Sequence, residues 1–134
     1  MNDRESNASS PREQEDSDGE GSGLPHERLD VYRVLEEAYR ATASWPSVSW
    51  AKGGTGDQLR RSASSAILRY TEGYYADGGN KAALWNGARA SCGEAAAAVR
   101  LLVIDGKVPT EEAARARELF GRAMQMLMRL LHSR

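Results

Sequence analysis

Residues 80–105 are small or apolar on almost every side of a helix, and this stretch constrains the fold most. At about 100° per residue, Leu84, Ala88, Ser91, Cys92, Ala95, Val99 and Leu102 share one face. Ala82, Gly93, Ala97 and Ile104 lie on the reverse side, with Arg89 and Arg100 at its edge. A helix apolar almost all round is normally covered on both sides. Asn80 is the expected N-cap, and Gly106 the expected left-handed residue beyond the C-terminus. A monomeric four-helix bundle covers only one side, so the surplus face predicts self-association. The alternative is a long N-terminal arm or loop laid over this helix.

Three further helices surround it. Asp30 is a good N-cap for a helix to about Ser44, in which Val31, Leu35, Ala38, Tyr39 and Thr42 recur at helical spacing. Trp45-Pro46 stops that helix, and residues 47–56 read as a loop. A second helix runs from near Asp57 to about Tyr75. Leu59, Ala63, Ala66, Ile67, Tyr70 and Tyr74 form its stripe, and Leu68 points away from it. Asp77-Gly78-Gly79 breaks the chain. Thr110 caps a fourth helix to about His132, with Glu111 and Glu112 at the positive end of its dipole. There Ala113, Phe120, Met124, Leu127 and Leu131 face inward, and Leu119, Met126 and Leu130 widen the stripe. Nothing reads as a strand. Helices joined by short loops predict an all-α, antiparallel up-down four-helix bundle over residues 29–134.

Residues 1–28 read as a disordered acidic tail. The first 23 residues carry seven acids against two arginines, a net of −5, and Met1 is their one aliphatic residue larger than Ala. Such a segment buries too little apolar area to offset its ordering entropy, and it is too polar to cover the third helix. Residues 24–134 hold 16 Lys and Arg against 12 Asp and Glu, a net of +4. The whole-chain net of −1 excludes a strongly basic nucleic-acid binder on charge alone. A tethered polyanion beside a basic domain should compete with nucleic acid for it. No apolar stretch follows the start as in a signal peptide, and no run approaches the roughly 20 apolar residues of a membrane span. The lone Cys92 fits a reducing cytoplasm, so the chain is expected to be cytoplasmic and off the membrane.

No enzymatic constellation emerges. One cysteine and two distant histidines, His26 and His132, exclude a Cys/His zinc module. A di-iron bundle needs Glu-x-x-His pairs, which the sequence lacks. Cys92 on the core face reads as a small buried hydrophobe. Glu36 and Glu37 read as solvated helix charges, and Glu72 and Glu94 as ion-pair partners of arginines. The expectation is a non-enzyme with no cofactor and no metal.

Several strings resemble those of a bacterial four-helix bundle family, the proteins encoded in intervening sequences of 23S ribosomal RNA. That family includes the accessory variability protein of diversity-generating retroelements. Leu29-Asp30-Val31-Tyr32 looks like its start of helix 1, and Trp45-Pro46 stands where it often has Phe-Pro. Gln58-Leu59-Arg60-Arg61-Ser62-Ala63 resembles its Gln-Leu-Arg-Arg-Ala-Ala, and Glu72-Gly73-Tyr74 its Ala-Glu-Gly-Tyr. Ala88-Arg89-Ala90-Ser91-Cys92-Gly93-Glu94 is similar to its Ala-Arg-Gly-Ser-Leu-Gly-Glu. The resemblance spans residues 29–131. It departs at Ser65-Ala66-Ile67-Leu68-Arg69-Tyr70, which lacks the proline and asparagine of the family's Ser-Ile-Pro-x-Asn-Ile, so helix 2 should be straighter here.

The resemblance implies a ring-shaped homopentamer and, from the retroelement branch, a non-catalytic accessory role with a reverse transcriptase and RNA or DNA as partners. The candidate subunit-interface residues are Leu68, Gly93, Ala97 and Ile104, and Gly93→Leu is expected to break the oligomer by overpacking. The candidate nucleic-acid residues are Arg60, Arg61, Arg69, Arg89 and Arg100, because the guanidinium fork suits phosphate. A second group, Arg115, Arg117, Arg122, Arg129 and Arg134, lies on helix 4. In a pentamer the net +4 becomes about +20, enough to attract polyanions. The alternative is that these arginines make ion pairs, and that the protein is a structural oligomeric scaffold or adaptor recruiting a protein partner without nucleic acid. Lacking any base-reading motif, binding should be backbone-directed and salt-sensitive.

Overall fold

A computed structural model describes residues 23–133. The acidic residues 1–22, and Arg134, lie outside the described residues. The chain divides into two units, one ending at Arg33 and one beginning at Val34. Four α-helices are present, α1 (Asp30–Thr42), α2 (Thr55–Tyr74), α3 (Gly78–Ile104) and α4 (Thr110–Ser133), and α1 straddles the division. No strand occurs among the described residues.

In the first unit a single turn of 3-10 helix covers Pro25–Arg28, inside the stretch that composition alone assigns to the tail. Proline at its first position supplies the required φ. The Glu27 carboxylate accepts the Leu24 N–H at 3.0 Å. His26 is buried, with its ring edge-on to Tyr32 at 5.3 Å. Asp30 opens α1 and pairs with Arg33 at 2.8 Å.

In the second unit the four helices pack together, with residues 34–42 contributed by α1. Three residues separate α2 from α3, and five separate α3 from α4. Such short links force antiparallel neighbours. Cross-helix contacts give the registers: Trp85 meets Tyr70 and Ser91 meets Ser65 between α3 and α2, and Arg89 meets Met128 between α3 and α4. The Arg115 guanidinium of α4 is hydrogen-bonded to the Glu37 carboxylate of α1.

The core follows the stripes read from the sequence. Leu35, Ala38, Leu59, Ala63, Ala66, Tyr70, Ala88, Cys92, Ala95, Val99, Phe120 and Leu127 are all buried. Alanines at the α2–α3 seam let the two backbones approach, and α4 contributes the bulk with Leu119, Phe120 and Leu127. Tyr39, Ile67, Tyr74, Leu84, Met124 and Leu131 are only half-buried, since each lies at the margin of its stripe.

The helix starts differ from expectation in their caps: Asp30 and Thr110 are the first residues of α1 and α4, not caps ahead of them. Asn80 is not the N-cap of α3: the helix begins at Gly78 after Asp77, which places Asn80 inside its first turn. Gly78 has φ +54, a left-handed value that allows a tight reversal and an earlier start. The start of α2 at Thr55 agrees with the expected start near Asp57, whose carboxylate accepts the Gly53 N–H at 3.0 Å. The end of α3 matches expectation. Gly106 has φ +72, its N–H bonds to Val103 O at 2.9 Å, and the Lys107 N–H bonds to Leu102 O at 2.9 Å. This is the Schellman arrangement, which satisfies two orphan carbonyls. Without a central proline, α2 runs unbroken through Ser65–Tyr70.

Candidate functional site

The five candidate arginines do not converge on one point. Arg60 and Arg61 lie in the first half of α2. The Arg60 guanidinium sits over the Trp50 ring, 4.6 Å from its centroid, and Arg61 Nε is 3.7 Å from Asp57 Oδ2. Arg69, in the second half of α2, lies across Gly87 of α3: a Cβ on Gly87 would be 2.8 Å from Arg69 Nη1. Arg89 leaves α3 on its other flank, and its Nη1 donates to Met128 Sδ at 2.9 Å. Arg100 is exposed near the end of α3. The α4 group is exposed at Arg117, Arg122 and Arg129, while Arg115 is engaged by Glu37 and Glu118.

The candidate interface residues also separate. Leu68 is 65% exposed and Ile104 64% exposed, large values for aliphatic side chains on helices. Ala97 is exposed on the same side of α3 as Ile104, and Leu101 lies between them, 51% exposed. Sequence periodicity passed over Leu101, although its spacing from Ala97 and Ile104 was the available signal. Gly93 is different. It is half-buried, and a Cβ there would lie 3.6 Å from the Met124 methyl of its own α4. A larger side chain at Gly93 would therefore meet Met124 of its own subunit as well as any neighbour.

Two tryptophans organise opposite ends of the α2–α3 pair. Trp85 is buried, stacks on Tyr70 at 6.2 Å and 13°, and donates its Nε1–H to Tyr70 O at 3.0 Å. Gly73 makes this possible, since a Cβ there would lie 2.5 Å from Trp85 Cδ1. The Lys81 ammonium lies 5.0 Å from the Trp85 ring centroid and donates to Tyr74 O at 3.1 Å. Trp50 lies in the loop before α2 and is only half-buried. Sequence reading missed Trp50, because helical periodicity says nothing about a loop. An aromatic residue beside Lys52 and two glycines was the signal.

Cys92 is the sole cysteine, fully buried, and burial pushes its thiol up to about 12. It stays a neutral thiol at ordinary pH. No cluster of three His, Cys, Asp or Glu residues suited to a metal ion occurs among the described residues. No described helix is long and apolar enough to cross a membrane. Comparison with protein-family models and with curated proteins returns no match.

Proposed function

We propose that the protein is a non-catalytic oligomeric accessory protein, which assembles through the outer faces of α2 and α3 and offers arginines to nucleic acid, to a reverse-transcriptase-type partner, or to both. The observation that carries this reading is the outer face of α3, where Ala97, Leu101 and Ile104 stand in solvent in a helix whose other face is filled. Burying the remaining exposed part of Leu101 and Ile104 contributes roughly 1–2 kcal/mol each per subunit. The ring-shaped homopentamer implied by the family resemblance is one closed arrangement that covers this face in every subunit. Arg60, Arg61, Arg69 and Arg100 remain exposed enough to meet phosphate.

Light scattering after size exclusion tests assembly. An oligomer is expected for the wild type, with dissociation by Ile104→Glu or Leu101→Glu while helicity persists. A wild type at monomer mass overturns the assembly reading. Filter binding tests the polyanion reading, with retention at about 50 mM salt that fades by about 200 mM. A variant beginning at Leu24 should bind more tightly, because it lacks the net −5 of the first 23 residues. The scaffold reading draws on a different observation: Arg60, Arg61, Arg89 and Arg115 already have partners within the chain. An oligomer that retains no nucleic acid at low salt selects it.

A further inference from the structure

The connection between α1 and α2 is firmly built. Trp45 and Val48 are buried and anchor it. The Val48 N–H donates to Trp45 O at 3.3 Å, the Ala51 N–H to Ser49 Oγ at 3.3 Å, and the Gly54 N–H to Ala51 O at 3.2 Å. Gly56 passes so close to Ser49 O and Val48 that no Cβ fits there. Between these fixed points Trp50 is left half-exposed beneath Arg60. Next to it an open cleft of about 270 Å³ lies between residues 49–56 and the end of α3. Lys52 and Lys107 line that cleft and are exposed, and Asp105 is its one carboxylate.

We propose that this end of the bundle binds single-stranded nucleic acid: Arg60 turns from the indole face to a flanking phosphate, one base takes its place on Trp50, and Lys52 and Lys107 meet the neighbouring phosphates. The inference rests on the nucleic-acid reading above and names the form of nucleic acid and the place. A base within a duplex is stacked on both faces and cannot reach an indole, whereas an unpaired base can. Every base has a π-face, so the site reads no sequence. Arg60 covers that face in the free protein, but its side chain is exposed and long enough to turn aside, and its planar fork suits a phosphate. The loop's hydrogen bonds hold Trp50 in position beforehand, so little ordering entropy is lost on binding.

The test uses the full chain and follows tryptophan fluorescence, since Trp45 and Trp85 are buried and quenching reports Trp50. The probes are oligo-dT and oligo-rU of about 15 nucleotides and a duplex of the same length. Both single strands should quench. By filter binding, which does not depend on the indole, Trp50→Ala should weaken single-strand binding about tenfold, and Trp50→Phe should recover most of that loss. Lys52→Gln and Lys107→Gln should each lower the salt slope by about one. Unchanged single-strand affinity in Trp50→Ala, with wild-type duplex binding intact, overturns this inference and leaves the broader reading standing. A wild type that retains neither single strand nor duplex overturns both. Quenching by an acidic peptide but by neither oligonucleotide also overturns it and makes the loop a protein-docking surface.

Discussion

Trp85 and Trp50 are both tryptophans beside a cation, yet the chain treats them in opposite ways. Trp85 has its N–H satisfied by a backbone carbonyl, a tyrosine against its face and a glycine cleared from its path. Trp50 has a guanidinium over its face and solvent nearby. The first arrangement closes the α2–α3 seam. The second leaves the indole covered only by an exposed, displaceable side chain, on a loop that Trp45 and Val48 already anchor. A buried aromatic with a satisfied polar tip signals stability, and a held but accessible one signals recognition.

The largest expected effect that tests this contrast is Trp85→Ala. It removes the stacked ring and leaves Tyr70 O without that donor, so it should cost about 3–5 kcal/mol in a denaturant melt. A loss under about 1 kcal/mol would remove the distinction between the two tryptophans. Gly73→Ala comes next. Its Cβ falls 2.5 Å from Trp85, which must shift, and the expected cost is about 1–3 kcal/mol with a change in near-ultraviolet dichroism.

Cys92 probes the same seam by pH. Burial raises its thiol from 9.0 to about 12, so well below pH 9 the thiol is neutral in folded and unfolded chains alike. Above pH 9 the unfolded thiol ionises first, and stability falls as pH rises towards 12. The slope attributable to this group reaches about 1.4 kcal/mol per pH unit. Chemical melts of the wild type and Cys92→Ala should therefore diverge above pH 9 and run parallel below it. The smallest effect belongs to Trp50→Ala, expected to change stability by no more than about 0.5 kcal/mol. A larger loss would make Trp50 a structural anchor like Trp85.

Much of the bundle was legible in the residues themselves. Leu59, Ala63, Ala66 and Tyr70 on α2, and Ala88, Cys92, Ala95 and Val99 on α3, lie where a 3.6-residue period puts them, because each helix presents one fixed stripe to its neighbours. Thr110-Glu111-Glu112 falls in the first turn of α4 and Gly106 just beyond α3, because helix-end chemistry is local, although Thr110 lies inside the helix and not at its cap. The exposure of Leu68 and Ile104 followed from the same wheel. Tertiary packing decided the rest. Periodicity assigns Gly93 to a side of α3, but only the position of α4 puts Met124 against it. Arg60 and Arg89 are alike in sequence, yet one reaches an indole across a loop and the other a thioether across a helix. Gly73 stands in a recognisable string, but its necessity comes from Trp85, twelve residues away and on the next helix. Helical spacing encodes the direction of a side chain from its own axis; what it meets depends on where the other axes lie, and that is settled only when the helices pack.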